Sequence, residues 1–306
     1  MKILVTGAAG FIGSHSARAL LALGHSVYGI DNFNDYYEVA LKEKNAEGIN
    51  IFRVDICDEV AVEKIFAEVK PDVLLHLAAR AGVRASIADP ELYHRVNVLG
   101  TNILLEACRR HSVNRIVFAS SSSVYGNQKK IPFSESDSTE NPISPYAATK
   151  RAAENLCYSY SKTYGLKITC LRFFTVYGPS GRPDMAPLMF TKAIDAGETI
   201  KRFGDGSSMR DYTFIDDIVS GILSAVDHPF DFEIINLGNN KPEELRVLIS
   251  TIEKNLGKTA KIEELPMQAG DVEMTYADIT KAQKLLGYQP KTSLDEGIAK
   301  LIKWYI

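Results

Sequence analysis

The chain has 306 residues, of which 45% are hydrophobic and 24% are charged, and its formal net charge is −3. These values are typical of a globular protein with one main domain and a smaller second one, and they argue against a nucleic-acid binder, which presents a clustered basic face. Because no apolar run approaches the length of a membrane span and the N-terminus lacks the apolar stretch of a signal peptide, we expect a cytoplasmic protein without membrane contact.

The first half of the chain alternates short apolar runs with amphipathic stretches. The runs are nearly continuously apolar, as expected for strands that are buried on both faces of a sheet. Strands are predicted at 2–6, 26–30, 49–54, 72–77, 115–120 and 167–172, and helices at 11–23, 58–69, 90–111 and 144–165. This alternation predicts an α/β fold, a Rossmann-type doubly wound parallel sheet with right-handed crossovers.

The second half of the chain changes in character after Phe173. Segments 175–187 and 203–214 are rich in glycine, proline and polar residues, which predicts loops, and the chain ends in a predicted helix at 294–305. We expect a smaller α/β C-terminal domain that binds the substrate. The predicted division assigns 1–172 and about 211–237 to the Rossmann domain, and 173–210 and 238–306 to the substrate domain.

The cysteines and histidines give no sign of a metal centre. Cys57, Cys108, Cys157 and Cys170 are scattered and never spaced as C-x-x-C, and the six histidines are equally dispersed. We expect buried, reduced thiols rather than disulfides or zinc ligands, and no metal.

A glycine motif follows the first predicted strand. Gly7, Gly10 and Gly13 form G-x-x-G-x-x-G between a strand and a helix, where glycines permit close approach of the backbone to a pyrophosphate. Asp31 ends the second strand, where its carboxylate would accept hydrogen bonds from a ribose and repel the 2′-phosphate of NADP. The alternative is a structural turn with a surface Asp, but the combination predicts NAD. The predicted NAD contacts are Gly7, Gly10, Phe11, Ile12, Gly13, Asp31, Asn32, Asp55, Ile56, Leu77, Ala78, Ala79, Tyr146 and Lys150.

Three polar residues in the middle of the chain are candidates for catalysis. Tyr146 and Lys150 lie four residues apart at the start of a predicted helix and therefore share one face. A nearby ammonium favours the phenolate, so we expect Lys150 to lower the pKa of Tyr146; the alternative is an exposed pair without a function. Four serines at 120–123 end the fifth strand, at the edge of the sheet where such folds bind ligands. Ser121 is predicted to share a substrate hydroxyl with Tyr146, and Ser120 to be structural.

The glycine motif, the serines with the following V-Y-G, and Y-x-x-x-K together resemble the extended short-chain dehydrogenase/reductase family of nucleotide-sugar enzymes. The resemblance covers essentially the whole chain, including "LRFFTVYGP" (171–179) and "GDVEMTYADITKAQKLLGYQP" (270–290). It implies that Tyr146 removes a proton from a sugar hydroxyl while hydride leaves C4 for NAD, which gives a 4-keto sugar. Epimerases then return the hydride to the other face, dehydratases eliminate water, and decarboxylases lose the C6 carboxylate.

The positions beside Ser121 separate these reactions within the family. Dehydratases typically carry an Asp-Glu pair there and decarboxylases a Glu two positions on, whereas this chain has Ser122 and Ser123, so the resemblance implies an epimerase. Thr175 stands where UDP-galactose 4-epimerases usually have Asn, and Arg182 offers a planar fork suited to a carboxylate, unless it pairs with Asp184 or meets only water. These marks resemble the UDP-glucuronate 4-epimerases. The residues expected to contact the UDP-sugar are Ser122, Ser123, Thr175, Arg182, Arg210, Asp271 and Arg84, with Arg84 and Asp271 the weaker candidates.

Other functions stay open at this point. The chain would also suit a 4-epimerase for UDP-glucose or UDP-N-acetylglucosamine, and less well a UDP-glucuronate decarboxylase or a non-catalytic NAD-binding regulator. The helices at 90–111 and 144–164 resemble the pair through which family members form homodimers, although their apolar faces would also suit packing on the sheet.

Overall fold

A computed structural model of the protein describes residues 1–266 and 274–306. Its strands are β1 (Lys2–Thr6), β2 (Ser26–Asp31), β3 (Asn50–Arg53), β4 (Val73–His76), β5 (Arg115–Ser121), β6 (Lys167–Phe173), β7 (Thr175–Tyr177), β8 (Thr199–Phe203), β9 (Met209–Phe214), β10 (Phe232–Leu237), β11 (Pro242–Glu244), β12 (Lys261–Leu265) and β13 (Met274–Thr275). Its helices are α1 (Phe11–Ala22), α2 (Val39–Ala46), α3 (Glu59–Val69), α4 (Val83–Ala88), α5 (Pro90–His94), α6 (Thr101–Arg110), α7 (Pro145–Tyr164), α8 (Ala186–Asp195), α9 (Ile215–Asp227), α10 (Leu245–Leu256), α11 (Thr280–Leu286) and α12 (Leu294–Tyr305).

Seven strands form one parallel sheet in the order β10-β6-β5-β4-β1-β2-β3. Alternate side chains of β1 enter different cores, because Ile3 and Val5 pack with α1 and α9 whereas Leu4 packs with α3 and α6. The sheet is therefore covered on both faces, which confirms the predicted Rossmann-type fold. The chain order reverses between β1 and β4, and this switch point is where such sheets bind ligands.

The remaining strands form a smaller region beside the sheet. Strand β9 pairs with β7, β11 and β13, while β8 pairs with β12. Helices α8, α10 and α12 pack around these strands through a third apolar core that includes Leu188, Ile249 and Leu301. Strand β10 joins the large sheet, although it follows β9 in sequence. The predicted domain boundaries stay a prediction.

The long helix α7 begins and ends where the sequence predicts. The Ser144 hydroxyl caps it by accepting a hydrogen bond from the N–H of Ala147 at 3.1 Å, and Pro145 occupies the first turn, where its missing N–H is not needed. Gly165 ends it in the left-handed conformation with φ of +72°. These caps fix the register of the helix that carries Tyr146 and Lys150.

Several local predictions were wrong. The predicted loops at 175–187 and 203–214 contain β7 and β9, because strand pairing with distant segments overrides the loop-like composition. The helix predicted at 90–111 is confirmed over 90–110, although a π-helical segment at Arg95–Gly100 lies between α5 and α6. The sequence also did not predict α2 or α4.

The four cysteines are free thiols, and Cys108, Cys157 and Cys170 are buried as predicted, whereas Cys57 is partly exposed. Within the described ranges, none of the helices is both long and apolar enough to cross a membrane.

Candidate active site

A cavity of about 390 Å³ lies at the carboxyl edge of the large sheet. It extends from the turn between β1 and α1 to the ends of β5 and β6. All fourteen of the predicted NAD contacts line it, and so do Ser121, Ser122, Ser123, Thr175 and Arg182. The fold thus brings predicted site residues as far apart in sequence as Gly7 and Arg182 to one cavity. Their individual roles stay predictions.

Gly7 in the turn between β1 and α1, and Gly13 in the first turn of α1, lie where no larger residue fits. A Cβ on Gly7 would lie 2.9 Å from the Cα of Ala78, and a Cβ on Gly13 would lie 2.0 Å from the carbonyl oxygen of Gly7. Gly7 also has φ of +69°, which favours glycine. The turn is therefore tight against the end of β4, and the N-terminus of α1 opens on the cavity. This shape fits the pyrophosphate of a dinucleotide.

Two carboxylates lie near this turn. Asp31 accepts hydrogen bonds from the N–H groups of Ala9 at 3.0 Å and Phe33 at 2.9 Å, and its burial raises its pKa. Asp55 accepts from Asn32 and from the N–H of Cys57, each at 2.9 Å; burial opposes its ionisation, but these donors hold its pKa below the usual value. Both carboxylates line the cavity and offer acceptors for ribose hydroxyls, so the residues present fit NAD.

The tyrosine and lysine of α7 face the other end of the cavity. Lys150 is buried, and its Nζ donates to the carbonyl of Ala119 at 2.8 Å; burial lowers its pKa to about 8. Burial raises the pKa of Tyr146, and a hydrogen bond with Ser121 and the charge of Arg182 only partly oppose this. The predicted lowering of the Tyr146 pKa by Lys150 is therefore wrong for the protein alone, because desolvation of the phenolate dominates.

The four serines have different surroundings. Ser120 is buried and donates to Glu154 at 2.6 Å, which supports the predicted structural role. Ser121 accepts the N–H of Ser123 and donates to its hydroxyl, both at 3.1 Å. The chain turns at Ser122–Tyr125 after β5, so the hydroxyls of residues 121–123 line the cavity beside Tyr146.

Arg182 lies at the cavity and is already paired. Its Nε donates to Asp184 at 3.0 Å, and its Nη2 donates to Asp184 and, at 3.3 Å, to the hydroxyl of Tyr36. Arg182 therefore pairs with Asp184 and also lines the cavity. The sequence left pairing with Asp184 and a position facing the ligand as alternatives.

Two predicted substrate contacts, Arg84 and Arg210, lie elsewhere. The guanidinium of Arg84 lies 5.4 Å from the centre of the Phe203 ring, and Arg210 donates to the carbonyl of Met209 at 2.9 Å on β9. Neither is among the residues that line the cavity. Asp271 lies outside the described residues.

The sequence did not single out several polar residues that line the cavity, namely Tyr36, Tyr37, Lys42 and Arg80. Lys42 donates to Asn34 at 3.1 Å and its ammonium lies 4.6 Å from the centre of the Tyr37 ring. The run "DNFNDYY" (31–37) contributed to the family resemblance, but its spacing alone did not indicate which side chains enter the cavity.

Three features are typical of a dinucleotide-dependent Rossmann enzyme: a glycine turn, a tyrosine and a buried lysine on one helix, and serine hydroxyls at one edge of a parallel sheet. The chain belongs to the NAD dependent epimerase/dehydratase family, whose model matches residues 3–238.

Among curated relatives, a UDP-glucuronate 4-epimerase of Thermodesulfobacterium geofontis is 45% identical over 98% of this chain and 95% of its own. The UDP-glucuronic acid 4-epimerase of Bacillus cereus, solved with UDP-glucuronic acid and NAD, is 38% identical, covers 99% of this chain and 98% of its own, and has a TM-score of 0.93. A UDP-glucose 4-epimerase of Thermotoga maritima, solved with UDP-glucose, is 33% identical, covers 100% and 98%, and also has a TM-score of 0.93. The predicted enzyme class, an NAD-dependent epimerase and hence an isomerase, is confirmed.

Proposed function

We propose that the protein interconverts UDP-glucuronate and UDP-galacturonate through a transient 4-keto intermediate. One observation carries this proposal: a guanidinium and three hydroxyls, from Arg182, Ser122, Ser123 and Thr175, line the same cavity as the tyrosine of α7. These groups are donors suited to a sugar carboxylate. The names of the relatives favour the same substrate.

The proposed reaction begins with a proton transfer at the sugar 4-hydroxyl. Tyr146 accepts this proton, and Ser121, which lines the cavity with Tyr146, orients the hydroxyl. Bound NAD supplies the hydride acceptor and donor, and its pyridinium charge favours the phenolate that burial disfavours. Lys150 adds a buried positive group on the same helix face and is held by the carbonyl of Ala119. After the sugar presents its other face, Tyr146 returns the proton.

The donors around the sugar also have a protective role in this proposal. A 4-keto uronate is a β-keto acid, which loses carbon dioxide most easily when its carboxylate is poorly solvated and perpendicular to the ketone plane. Donors from Arg182 and the serines would stabilise the carboxylate charge in another orientation and slow this loss. Among the described residues, the only carboxylates lining the cavity are Asp31 and Asp55, so elimination lacks an acid–base pair beside Ser121.

The second candidate is a 4-epimerase for UDP-glucose, supported by the similarity to the Thermotoga maritima enzyme. Incubation with UDP-glucuronate, followed by NMR, separates the two. Formation of UDP-galacturonate supports the proposal, whereas UDP-xylose would indicate decarboxylation, and turnover of UDP-glucose alone would favour the second candidate.

A substitution tests the proposed contact with the carboxylate. Arg182→Ala is expected to raise KM for UDP-glucuronate by about a hundredfold, as for a lost charge-assisted pair, with UDP affinity little changed. Arg110→Ala, which removes an exposed arginine paired with Glu59 and Glu63, is the matched control. Equal losses for UDP-glucuronate and UDP in the Arg182 variant would contradict the proposed contact.

We also propose a homodimer formed through α6 and α7. On α7, Tyr158 and Tyr164 are 52% and 51% exposed, which leaves large apolar rings for a second copy to cover. Sedimentation equilibrium tests this proposal, and a monomer at micromolar concentration would contradict it.

A further inference from the structure

Arg182 is held from one side by two residues of the chain. Asp184 accepts hydrogen bonds from Nε and Nη2, which is the side-on arrangement of a guanidinium with a carboxylate. The Tyr36 hydroxyl accepts from Nη2 and donates to Asp184, each at 3.3 Å. The three side chains therefore form a closed cluster in which the plane of the guanidinium is fixed.

This cluster joins two loops at the cavity. Tyr36 follows β2, whereas Arg182 and Asp184 follow β7, so 146 residues separate the partners in sequence. The Tyr36 hydroxyl also interacts with that of Tyr93, whose ring meets Tyr146 edge-on at a centroid distance of 6.2 Å. The orientation of Arg182 is thus tied to the wall of the cavity near the predicted catalytic tyrosine.

The pairing leaves part of the guanidinium for a ligand. Nη1 makes no hydrogen bond with any residue in the described ranges, and Arg182 lines the cavity whereas Asp184 does not. A substrate carboxylate would therefore meet the end of the guanidinium that Asp184 leaves open. The side chain of Arg182 is 21% exposed and that of Asp184 is 46% exposed, so water screens the charge of the Asp184 carboxylate more strongly than that of the Arg182 guanidinium.

We propose that Asp184 is a positioning residue, which holds the Arg182 guanidinium so that its free end faces the substrate carboxylate. This inference rests on the proposed function. A long arginine side chain loses considerable rotamer entropy when it is ordered. Because the pair with Asp184 orders Arg182 before the substrate binds, this loss is not part of the binding free energy. Asp184 thereby favours uronates over neutral sugars without touching either.

The main alternative is that Asp184 hinders the binding of the substrate instead of assisting it. Asp184 would then act as an internal mimic of the substrate carboxylate, which the substrate must displace. In that case removal of its charge would tighten the binding of UDP-glucuronate. The two roles predict opposite signs for the same measurement.

The test uses the full-length enzyme and the isosteric variant Asp184→Asn. We expect KM for UDP-glucuronate to rise about tenfold, the equivalent of one charge-assisted hydrogen bond, with kcat and the inhibition constant of UDP changed less than about twofold. Unchanged inhibition by UDP also shows that the variant is folded. Asp295→Asn is the matched control, since Asp295 pairs with Lys254 at 3.0 Å and does not line the cavity.

A double-mutant cycle shows whether Asp184 acts through Arg182. In the Arg182→Ala background, Asp184→Asn is expected to leave KM for UDP-glucuronate unchanged, because the group that it positions is gone. A lower KM in the single variant, an unchanged KM, or an additive effect in the cycle would overturn the inference. If the unaltered enzyme converts UDP-glucose but not UDP-glucuronate, the proposed function itself fails, and this outcome is distinct from the others.

Discussion

Glu154 is the centre of a buried ion pair, and we expect its neutralisation to destabilise the protein strongly. Its carboxylate accepts two hydrogen bonds from Arg172 at 2.8 Å, one from Ser120 at 2.6 Å and one from Arg151 at 3.1 Å. The side chains of Glu154 and Arg172 are 0% and 2% exposed. Glu154→Gln keeps the volume but leaves the guanidinium of Arg172 buried without a counter-charge.

The expected loss is about 3 to 5 kcal/mol, the range for removing one partner of a buried pair. The upper half of this range is favoured, because Nη1 of Arg172 already lacks a hydrogen-bond partner among the described residues. Urea unfolding followed by circular dichroism measures the loss; with a slope of about 3 kcal/mol/M, the midpoint falls by roughly 1 M or more.

Two comparisons make the test specific. Glu106→Gln removes the partner of the exposed Arg109, and it is expected to cost less than about 1 kcal/mol. The double variant Glu154→Leu, Arg172→Met removes both charges and is expected to recover most of the stability lost in Glu154→Gln. A loss as small as that of the Glu106 variant, or a double variant less stable than the single one, would refute the reasoning.

Two further substitutions have expected outcomes. Lys150→Met is expected to abolish epimerisation yet raise stability at pH 7 by about 2 kcal/mol, after the lost bond to Ala119 is subtracted. The pKa of Lys150 in the folded protein, about 8, lies below the ordinary lysine value of 10.5. Between these two pH values the unfolded chain binds the extra proton, so the gain is full below about pH 8 and vanishes above 10.5. A lower Tm at pH 7 would contradict this prediction. Gly13→Ala is expected to abolish NAD binding, because its Cβ would lie 2.0 Å from the Gly7 oxygen, whereas Gly165→Ala meets no atom within 4 Å and costs only about 1 to 2 kcal/mol of backbone strain. The NAD content of each purified variant tests this prediction. Cofactor retained by the Gly13 variant would contradict the steric limit on the turn.

The large sheet could be predicted from the sequence because local signals agree with the fold. Strand β1 contains the buried apolar run 3–5 and strand β4 the buried apolar run 73–75, and the glycines between β1 and α1 occupy positions where a Cβ would collide. Strands β7 and β9 could not be predicted in this way. Each lies in a polar, glycine-rich stretch, and its stability comes from pairing with the other across more than thirty residues.

The candidate site was predictable only where a motif has a fixed spacing. Tyr146 and Lys150 share a helix face by their spacing of four, so their proximity followed from the sequence. The partners of Arg182 could not all be predicted from the sequence, because the contact with Tyr36 depends on how two loops meet. The direction of the Tyr146 pKa shift also did not follow, since burial is a property of the whole fold.

The end of β5 links the stability of the fold to its chemistry. Ser120 directs its hydroxyl to Glu154, while the next residue, Ser121, lines the cavity with Tyr146. Glu154 lies four residues beyond Lys150 on α7 and contacts both Ser120 of β5 and Arg172 of β6, so it joins the strand of serines to the helix of the tyrosine and lysine. A proton transfer between groups on two elements requires their separation to be fixed within a fraction of an ångström. In the proposed mechanism the buried charges therefore lie where rigidity would serve the reaction, even though an apolar pair would serve stability equally well.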